Sequence, residues 1–354
     1  ELTEEDSSTI FYVNLGWSIC IYSALFFLAP YISIFYKQPE LTQIARILFL
    51  GILINSLMVV YKAKLTIKID FKSQAIAGVF ATLFSAIFAV YLAKNNYNYW
   101  ALVGLILSRN IFLLLGLFLF SRWLPKWIFS KTSFRNLFKF GSNLMFASIV
   151  ANIVNNLSVL LIGRYFNPTH VGYFTQATNL SNYASQFVSS TLQGVTYPVM
   201  TSVKNDREQL INIYQKLISI TMLISLPLLV GFASISSEVI LLFLGDAWEP
   251  AISILIALCF ARTITPISAI NMNILNAIGR SDLFLKVDLS KLPLTLGGLI
   301  IAIPFGVTAL AWMSVATSFL AFFINAYYPA KFFKFGGLQQ IKVAKNYSLA
   351  SGTM

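Results

Sequence analysis

The chain has 354 residues and a formal net charge of +12, yet only 11% of its residues are charged while 57% are hydrophobic. A soluble domain carries roughly a quarter charged residues, so this composition excludes an ordinary soluble globular protein. Nucleic-acid binding is excluded as well, because that function needs a soluble basic face or domain and the sequence has none.

Apolar segments of about 20 residues recur along the whole chain, each long enough for a helix to cross roughly 30 Å of hydrocarbon. Barrel strands would give alternating segments of about ten residues, which this sequence lacks. We therefore predict an all-α, polytopic transmembrane bundle. The ten predicted spans are, in chain order, Ile10–Tyr36, Leu41–Tyr61, Gln74–Leu92, Tyr99–Ser121, Leu144–Phe166, Tyr173–Met200, Gln209–Ser234, Ala251–Ala277, Phe284–Pro304 and Gly306–Pro329. Kinks are expected at the prolines inside or at the edge of these spans, Pro198, Pro227, Pro266 and Pro293.

The basic residues predict the orientation of the spans. If residue 1 is cytoplasmic, 19 of the 25 Lys and Arg residues fall on the cytoplasmic side and only 3 on the other. This bias follows the positive-inside rule and explains the net charge by topology and by attraction to anionic lipid.

A long-range repeat predicts the organisation of the chain. Pro39 and Pro250, which each precede a span, are 211 residues apart, and Asp70 and Asp282 are 212 apart. A parallel repeat of this period implies two six-helix bundles, with about two spans expected before residue 1. The predicted parts are a remainder of the N-terminal bundle (1–121), a cytoplasmic basic and aromatic linker (122–143), a C-terminal six-helix bundle (144–330) and a cytoplasmic segment or the start of a further helix (331–354). The linker suits an interfacial amphipathic segment or an ordinary basic loop.

Three arginines lie within spans: Arg46, Arg109 and Arg262. No Asp or Glu lies near the middle of any span, so the predicted interior is cationic and suits an anionic substrate. A guanidinium group matches pyrophosphate geometry, although Arg46 and Arg262 are close enough to helix ends to snorkel or to form salt bridges.

Spans five and six carry amides at helical spacing, and in span six these form a polar stripe roughly 25 Å long together with Tyr183, Ser190 and Gln193. The stripe is explained either by hydrogen bonds between helices or by a hydrated cavity, and its length favours the cavity. Amides and hydroxyls both donate and accept hydrogen bonds, as sugar hydroxyls require. The amide residues predicted to bind substrate are Asn152, Asn155, Asn156, Gln176, Asn179 and Gln186.

Catalytic signatures are missing from the sequence. It has no metal-ligand spacing, nucleophile motif or Gly-rich phosphate loop, so we expect no enzyme, no catalytic residue, no metal and no cofactor. A glycan polymerase or ligase would need a sizeable outside segment, and the longest outside connection is roughly Ile235–Pro250.

Several segments resemble a known family, the Wzx-type oligosaccharide flippases, which form the polysaccharide transporter branch of the MATE-like (MOP) exporter superfamily. The segments that carry the resemblance are Thr3–Asp6, Asn136–Leu144 (NLFKFGSNL), Gly172–Met200, Leu244–Ala251 (LGDAWEPA) and Asn271–Lys286. Related sequences often place an arginine where this chain has Gln176, so one cationic contact is missing.

The resemblance implies two six-helix bundles that alternate access in a bacterial cytoplasmic membrane. It also implies a polyprenyl-pyrophosphate-linked oligosaccharide as the substrate, with membrane lipids as the other partner. Proton or sodium coupling stays open, since no carboxylate or His within a span marks its route. The alternative of the same architecture is a multidrug or cation antiporter, which would need buried Asp or Glu.

Overall fold

The computed structural model describes residues 3–130, 134, 152, 156–203 and 206–342, and in these ranges the regular structure is helical. The chain divides into two compact units, Glu1–Asn152 (unit 1) and Ile153–Met354 (unit 2). Among the described residues, eight helical segments are long and apolar enough to cross a membrane. The prediction of an all-α transmembrane protein is thus confirmed.

Unit 1 contains the first four predicted spans. Thr3 and Asp6 form a capping box at the start of the first helix, and the Asp70 carboxylate caps the fourth by accepting from the Ser73 amide at 3.0 Å. That hydrogen bond stabilises the charged form and holds the pKa of Asp70 below its usual value. The helices are α1 (Glu4–Tyr36), α2 (Leu41–Leu48), α3 (Leu50–Ile67), α4 (Phe71–Lys94) and α5 (Trp100–Ser121).

The second predicted span is interrupted once. Phe49 separates α2 from α3, while its φ and ψ of −65° and −18° stay in the right-handed helical region. Elsewhere in unit 1, α4 and α5 approach closely, because a Cβ atom placed on Gly116 would lie only 2.9 Å from the Cβ of Ala77.

Unit 2 contains α6 (helical residues 156–165), α7 (Pro168–Ser202), α8 (Arg207–Ser234), α9 (Ser236–Leu244), α10 (Ala251–Arg262), α11 (Thr265–Ala277), α12 (Ser281–Ala302) and α13 (Val307–Phe333). The predicted eighth span is broken between α10 and α11, next to Pro266. The short helix α9 lies in a connection for which no helix was predicted.

Two predicted spans differ from the other eight. Of span five, Leu144–Phe166, residues 144–151 and 153–155 lie outside the described residues, and its last part is described as α6. Span six is helical as α7, but it is not among the eight apolar segments. The many hydroxyl and amide side chains of α7 lower its mean hydropathy below that of the other spans.

Candidate functional site

Helix α7 packs into unit 2 through one face. The side chains of that face recur at steps of three and four residues and are buried: Phe174, Ala177, Ser181, Ser185 and Val188. This spacing puts them on one stripe of the helix. Phe174 and Ala177 join the core formed with α10 residues such as Leu255 and Leu258. The orientation of α7 is therefore fixed by its buried face.

The opposite face of α7 carries the predicted amide stripe. Asn179 and Gln186 are exposed, Tyr183 between them is 69% exposed, and Gln176 is half-buried. These side chains are not enclosed between helices of unit 2, so burial between packed helices does not account for their presence. Hydrocarbon cannot solvate amide groups, so such a face is unsuited to direct contact with lipid tails.

The asparagines predicted from span five are only partly described. Asn152 and Asn156 are exposed, whereas Asn155 lies outside the described residues. The side chains of Ser190 and Gln193, which were to continue the stripe on α7, lie outside the description as well.

Arg46 contacts α1 rather than open space. Its Nε atom donates to the Phe26 carbonyl oxygen at 3.3 Å, and its guanidinium group lies 4.2 Å from the centroid of the Phe26 ring. Phe26 precedes Pro30 by four residues, and Pro30 has no N–H to donate to that carbonyl. Arg46 thus satisfies a backbone acceptor that proline leaves free inside a membrane span.

The other two arginines have no such partner. Arg109 is exposed on α5, and no described residue forms a hydrogen bond or an ion pair with it. Arg262 ends α10, and its Nε is buried without a hydrogen-bond partner among the described residues. Buried donors are normally satisfied, so this nitrogen is an exception that calls for a functional explanation. Arg262 shares unit 2 with the amide face of α7, while Arg46 and Arg109 belong to unit 1.

Unit 2 also contains a buried polar cluster, here the Gln340 cluster, which the sequence analysis missed. Gln340 Nε2 donates to Tyr214 Oη at 2.9 Å and to Asn271 Oδ1 at 3.1 Å, and Asn271 Nδ2 donates to Gln340 Oε1 at 3.1 Å. The Tyr214 hydroxyl donates to Asn271 Oδ1, and all three residues are fully buried. The cluster joins α8 and α11 to helical residues 337–342 that follow α13.

A second cluster of polar contacts, here the Glu4 cluster, lies at the start of α1 in unit 1. The Glu4 carboxylate pairs with Lys64 Nζ at 2.6 Å and accepts from Trp123 Nε1 at 2.7 Å. The Lys64 ammonium group lies 4.5 Å from the centre of the Trp123 ring, which is buried. Residues 122–130 of the predicted linker form no helix, and Trp123 near their start belongs to the Glu4 cluster.

Comparison with known proteins finds relatives named for the biosynthesis of polysaccharides or lipopolysaccharide. The teichuronic acid biosynthesis protein TuaB of Bacillus subtilis is 24% identical over 331 residues, which are 92% of this chain and 68% of TuaB. The succinoglycan biosynthesis transport protein ExoT of Rhizobium meliloti is 24% identical over 75% of this chain and 54% of its own length. The lipopolysaccharide biosynthesis protein WzxC of Escherichia coli is 24% identical over 82% of this chain and 60% of WzxC. The chain thus spans between about half and two thirds of the length of these relatives.

Two solved structures share the fold. An inward closed conformation of the lipid II flippase MurJ superposes with a TM-score of 0.78 over 99% of this chain and 77% of MurJ, at 14% sequence identity. An inward-facing multidrug resistance transporter of the MATE family in the MOP superfamily gives 0.65 over 94% of this chain and 86% of that transporter, at 15% identity. At these identities the likeness shows the fold alone.

The family profile described as "Polysaccharide biosynthesis protein" matches residues 1–253, well over half of the chain. This match agrees with the resemblance of the segments around α7 and with the relatives named above. The chain therefore belongs to this family of polysaccharide biosynthesis proteins.

Proposed function

We propose that this protein is a transporter that moves a polyprenyl-pyrophosphate-linked oligosaccharide across the bacterial cytoplasmic membrane by alternating access. The observation that carries the proposal is the exposed amide and hydroxyl face of α7, on a helix whose other face is buried in unit 2. Such a face offers donors and acceptors along its length, as a chain of sugars requires. The protein carries out no bond-breaking step in this scheme.

The anionic part of the substrate matches the arginines. A guanidinium group binds phosphate oxygens in a bidentate manner, and the unpartnered Nε of Arg262 would be satisfied by such an oxygen. Arg109 offers a second unpartnered guanidinium group in unit 1. Arg46 is the weakest of the three candidates, since its Nε already donates to the Phe26 carbonyl.

The distribution of charge favours this substrate over a cation. Carboxylates in the described spans lie near helix ends, as Glu4 and Asp288 do, and Asp288 is paired with Lys291 at 2.5 Å. A multidrug or cation antiporter needs acidic groups within its spans to exchange cations for protons. Proton or sodium coupling of the proposed transport is measured by imposing each gradient in turn on reconstituted vesicles.

The test uses the full-length gene product in vesicles that contain a lipid-linked oligosaccharide. Arg262→Gln is expected to lower the rate of translocation at least tenfold, because a charge-assisted phosphate contact is worth roughly 1.5–3 kcal/mol. Arg122→Gln is the matched control, since Arg122 lies at the end of α5 outside the membrane-spanning helices, and its rate should equal that of the unmodified protein.

Two results would overturn the proposal. An unchanged rate of translocation by Arg262→Gln would show that Arg262 does not contact the phosphate groups of the substrate. Failure of the unmodified full-length protein to translocate the lipid-linked oligosaccharide, while it exchanges organic cations, favours the antiporter instead.

A further inference from the structure

A groove of about 540 Å³ lies between α12 and α13 and is lined by side chains of mixed character. Lys286 and Ser290 face it from α12, and Tyr327 and Tyr328 face it from α13, together with Phe323 and Ile324. The groove belongs to unit 2 and contains neither Arg262 nor any residue of the amide face. It needs an explanation of its own.

The charged and phenolic residues of the groove lie nearer the helix ends than Phe323 and Ser290 do. Lys286 follows the start of α12 by five residues, and Tyr328 precedes the end of α13 by five, so both lie about 8 Å from the helix ends. Phe323 and Ser290 lie nine or ten residues from those ends, about 14 Å deep. The Ser290 hydroxyl donates to the Val287 carbonyl at 2.8 Å, so it is already satisfied within α12. Near the helix ends the lining thus presents Lys286 and the two tyrosines beside the buried Val287, and deeper in it presents Phe323 and Ile324 with the satisfied Ser290 hydroxyl.

Among the described residues that line the groove, Lys286 is the charged one. Among the described residues, none forms an ion pair or a hydrogen bond with Lys286, whereas the nearby Lys291 is neutralised by Asp288 at 2.5 Å. The Tyr327 side chain, which also lines the groove, is 60% exposed, and its hydroxyl is a hydrogen-bond donor. One ammonium group with phenol donors matches one phosphate diester, which carries a single negative charge. A pyrophosphate group would leave charge unmatched.

We propose that this groove is a binding site for an anionic phospholipid of the cytoplasmic leaflet. The phosphate lies at Lys286 and Tyr327, and one acyl chain lies along Phe323 and Ile324. The distribution of basic residues puts this end of α12 and α13 on the cytoplasmic side, where anionic lipids and basic pockets between helices meet. The groove contains none of the residues proposed to bind the transported substrate, so this proposal can be tested independently of flippase activity.

The experiment measures lipid retention by native mass spectrometry of the full-length, delipidated protein, with phosphatidylglycerol or phosphatidylcholine added. Phosphatidylglycerol should be retained in preference to phosphatidylcholine. Lys286→Ala should lower its retention about fivefold, which is the effect of one basic residue near an anionic lipid. Lys342→Ala, an exposed lysine outside the groove, is the matched control and should retain lipid as the unmodified protein does.

A second variant tests the deeper part of the groove. Ser290→Trp fills this part and leaves Lys286 in place, so it should also lower retention of phosphatidylglycerol. Each variant must elute as the unmodified protein does and unfold at the same temperature, which separates lost binding from lost folding.

Three results would overturn the assignment. Equal retention of the two phospholipids would show that the groove does not select for charge. Full retention of phosphatidylglycerol by Lys286→Ala would show that Lys286 does not bind the lipid. Displacement of phosphatidylglycerol by a polyprenyl pyrophosphate, in a manner that depends on Lys286, assigns the groove to the transported substrate instead.

Discussion

At the scale of single residues, Arg46 and Pro30 compensate each other. Pro30 removes the donor that a helix would supply to the Phe26 carbonyl, and Arg46 supplies one from α2 at 3.3 Å. The ring of Phe26 lies 4.2 Å from the same guanidinium group, so Arg46 makes a cation–π contact with the residue whose carbonyl it binds. Water does not solvate a backbone carbonyl inside the bilayer, so this contact matters more there than on a soluble helix.

A double-mutant cycle tests the pair. Arg46→Leu is expected to lower the free energy of unfolding by about 1–2 kcal/mol, because the Phe26 carbonyl loses its donor. In a Pro30→Ala background the backbone amide of the new alanine supplies that donor, and the same arginine substitution should cost much less. Thermal unfolding in detergent of the single and double variants measures the coupling. Additive effects would show that the two residues act independently.

At the scale of elements, α7 combines a face that packs and a face that does not. Ala177 and Ser181 are fully buried, while Tyr183, only two positions beyond Ser181, is 69% exposed. A lipid-facing helix would show apolar side chains at the exposed positions, as α12 does with Ile300. The contrast between the two helices allows the surroundings of α7 to be tested directly.

Cysteine accessibility distinguishes a wet face from a lipid face. In a background in which Cys20 and Cys259 are replaced, Asn179→Cys should react in membranes with a water-soluble maleimide, because the proposed cavity admits water. Ile300→Cys, also exposed but apolar in its surroundings, should stay unlabelled until the protein is denatured. Absence of labelling at both positions would put the stripe of α7 against lipid and would remove the cavity.

The sequence predicts most of the helices because apolar length alone specifies them, and α1, α4 and α5 begin or end within a few residues of the predicted positions. Pro266 marks the break before α11, whereas the interruption at Phe49 has no proline beside it and is followed only by Gly51, which helices within a membrane tolerate. The stripe on α7 was predicted from spacing. The partner of Arg46 was not, because a contact between α1 and α2 depends on packing that periodicity does not encode.

At the scale of the molecule, unit 2 is joined by polar contacts between segments that are far apart in the sequence. Tyr214, Asn271 and Gln340 come from α8, α11 and the residues after α13, and each satisfies the others. A signal was present: Tyr214 lies on the buried stripe of α8 with Ile218 and Thr221, so a polar partner had to exist. Its identity, 126 residues along the chain, could not be inferred from the sequence.

Removal of Gln340 should loosen this arrangement. Gln340→Leu removes the acceptor of Asn271 Nδ2 and the donor to Tyr214 Oη, and the buried Asn271 amide left unsatisfied is expected to cost about 1–3 kcal/mol of unfolding free energy. The amides of residues 335–342 should also exchange hydrogen faster. Gln339→Leu is the control, since Gln339 is exposed and accepts only from the Gly336 amide at 3.0 Å. Equal effects of the two substitutions would mean that the cluster does not stabilise unit 2.

The polarity of α7 also constrains how the chain enters the membrane during synthesis. A segment with amides along one face inserts poorly by itself, and the core that covers the buried face of α7 includes α10, which is synthesised later. Because α7 ends at Ser202 and α10 ends only at Arg262, the helix must wait for much of unit 2 before its final position is stable. The residues that equip α7 to face water thus make its insertion a late and cooperative event in the biogenesis of the protein.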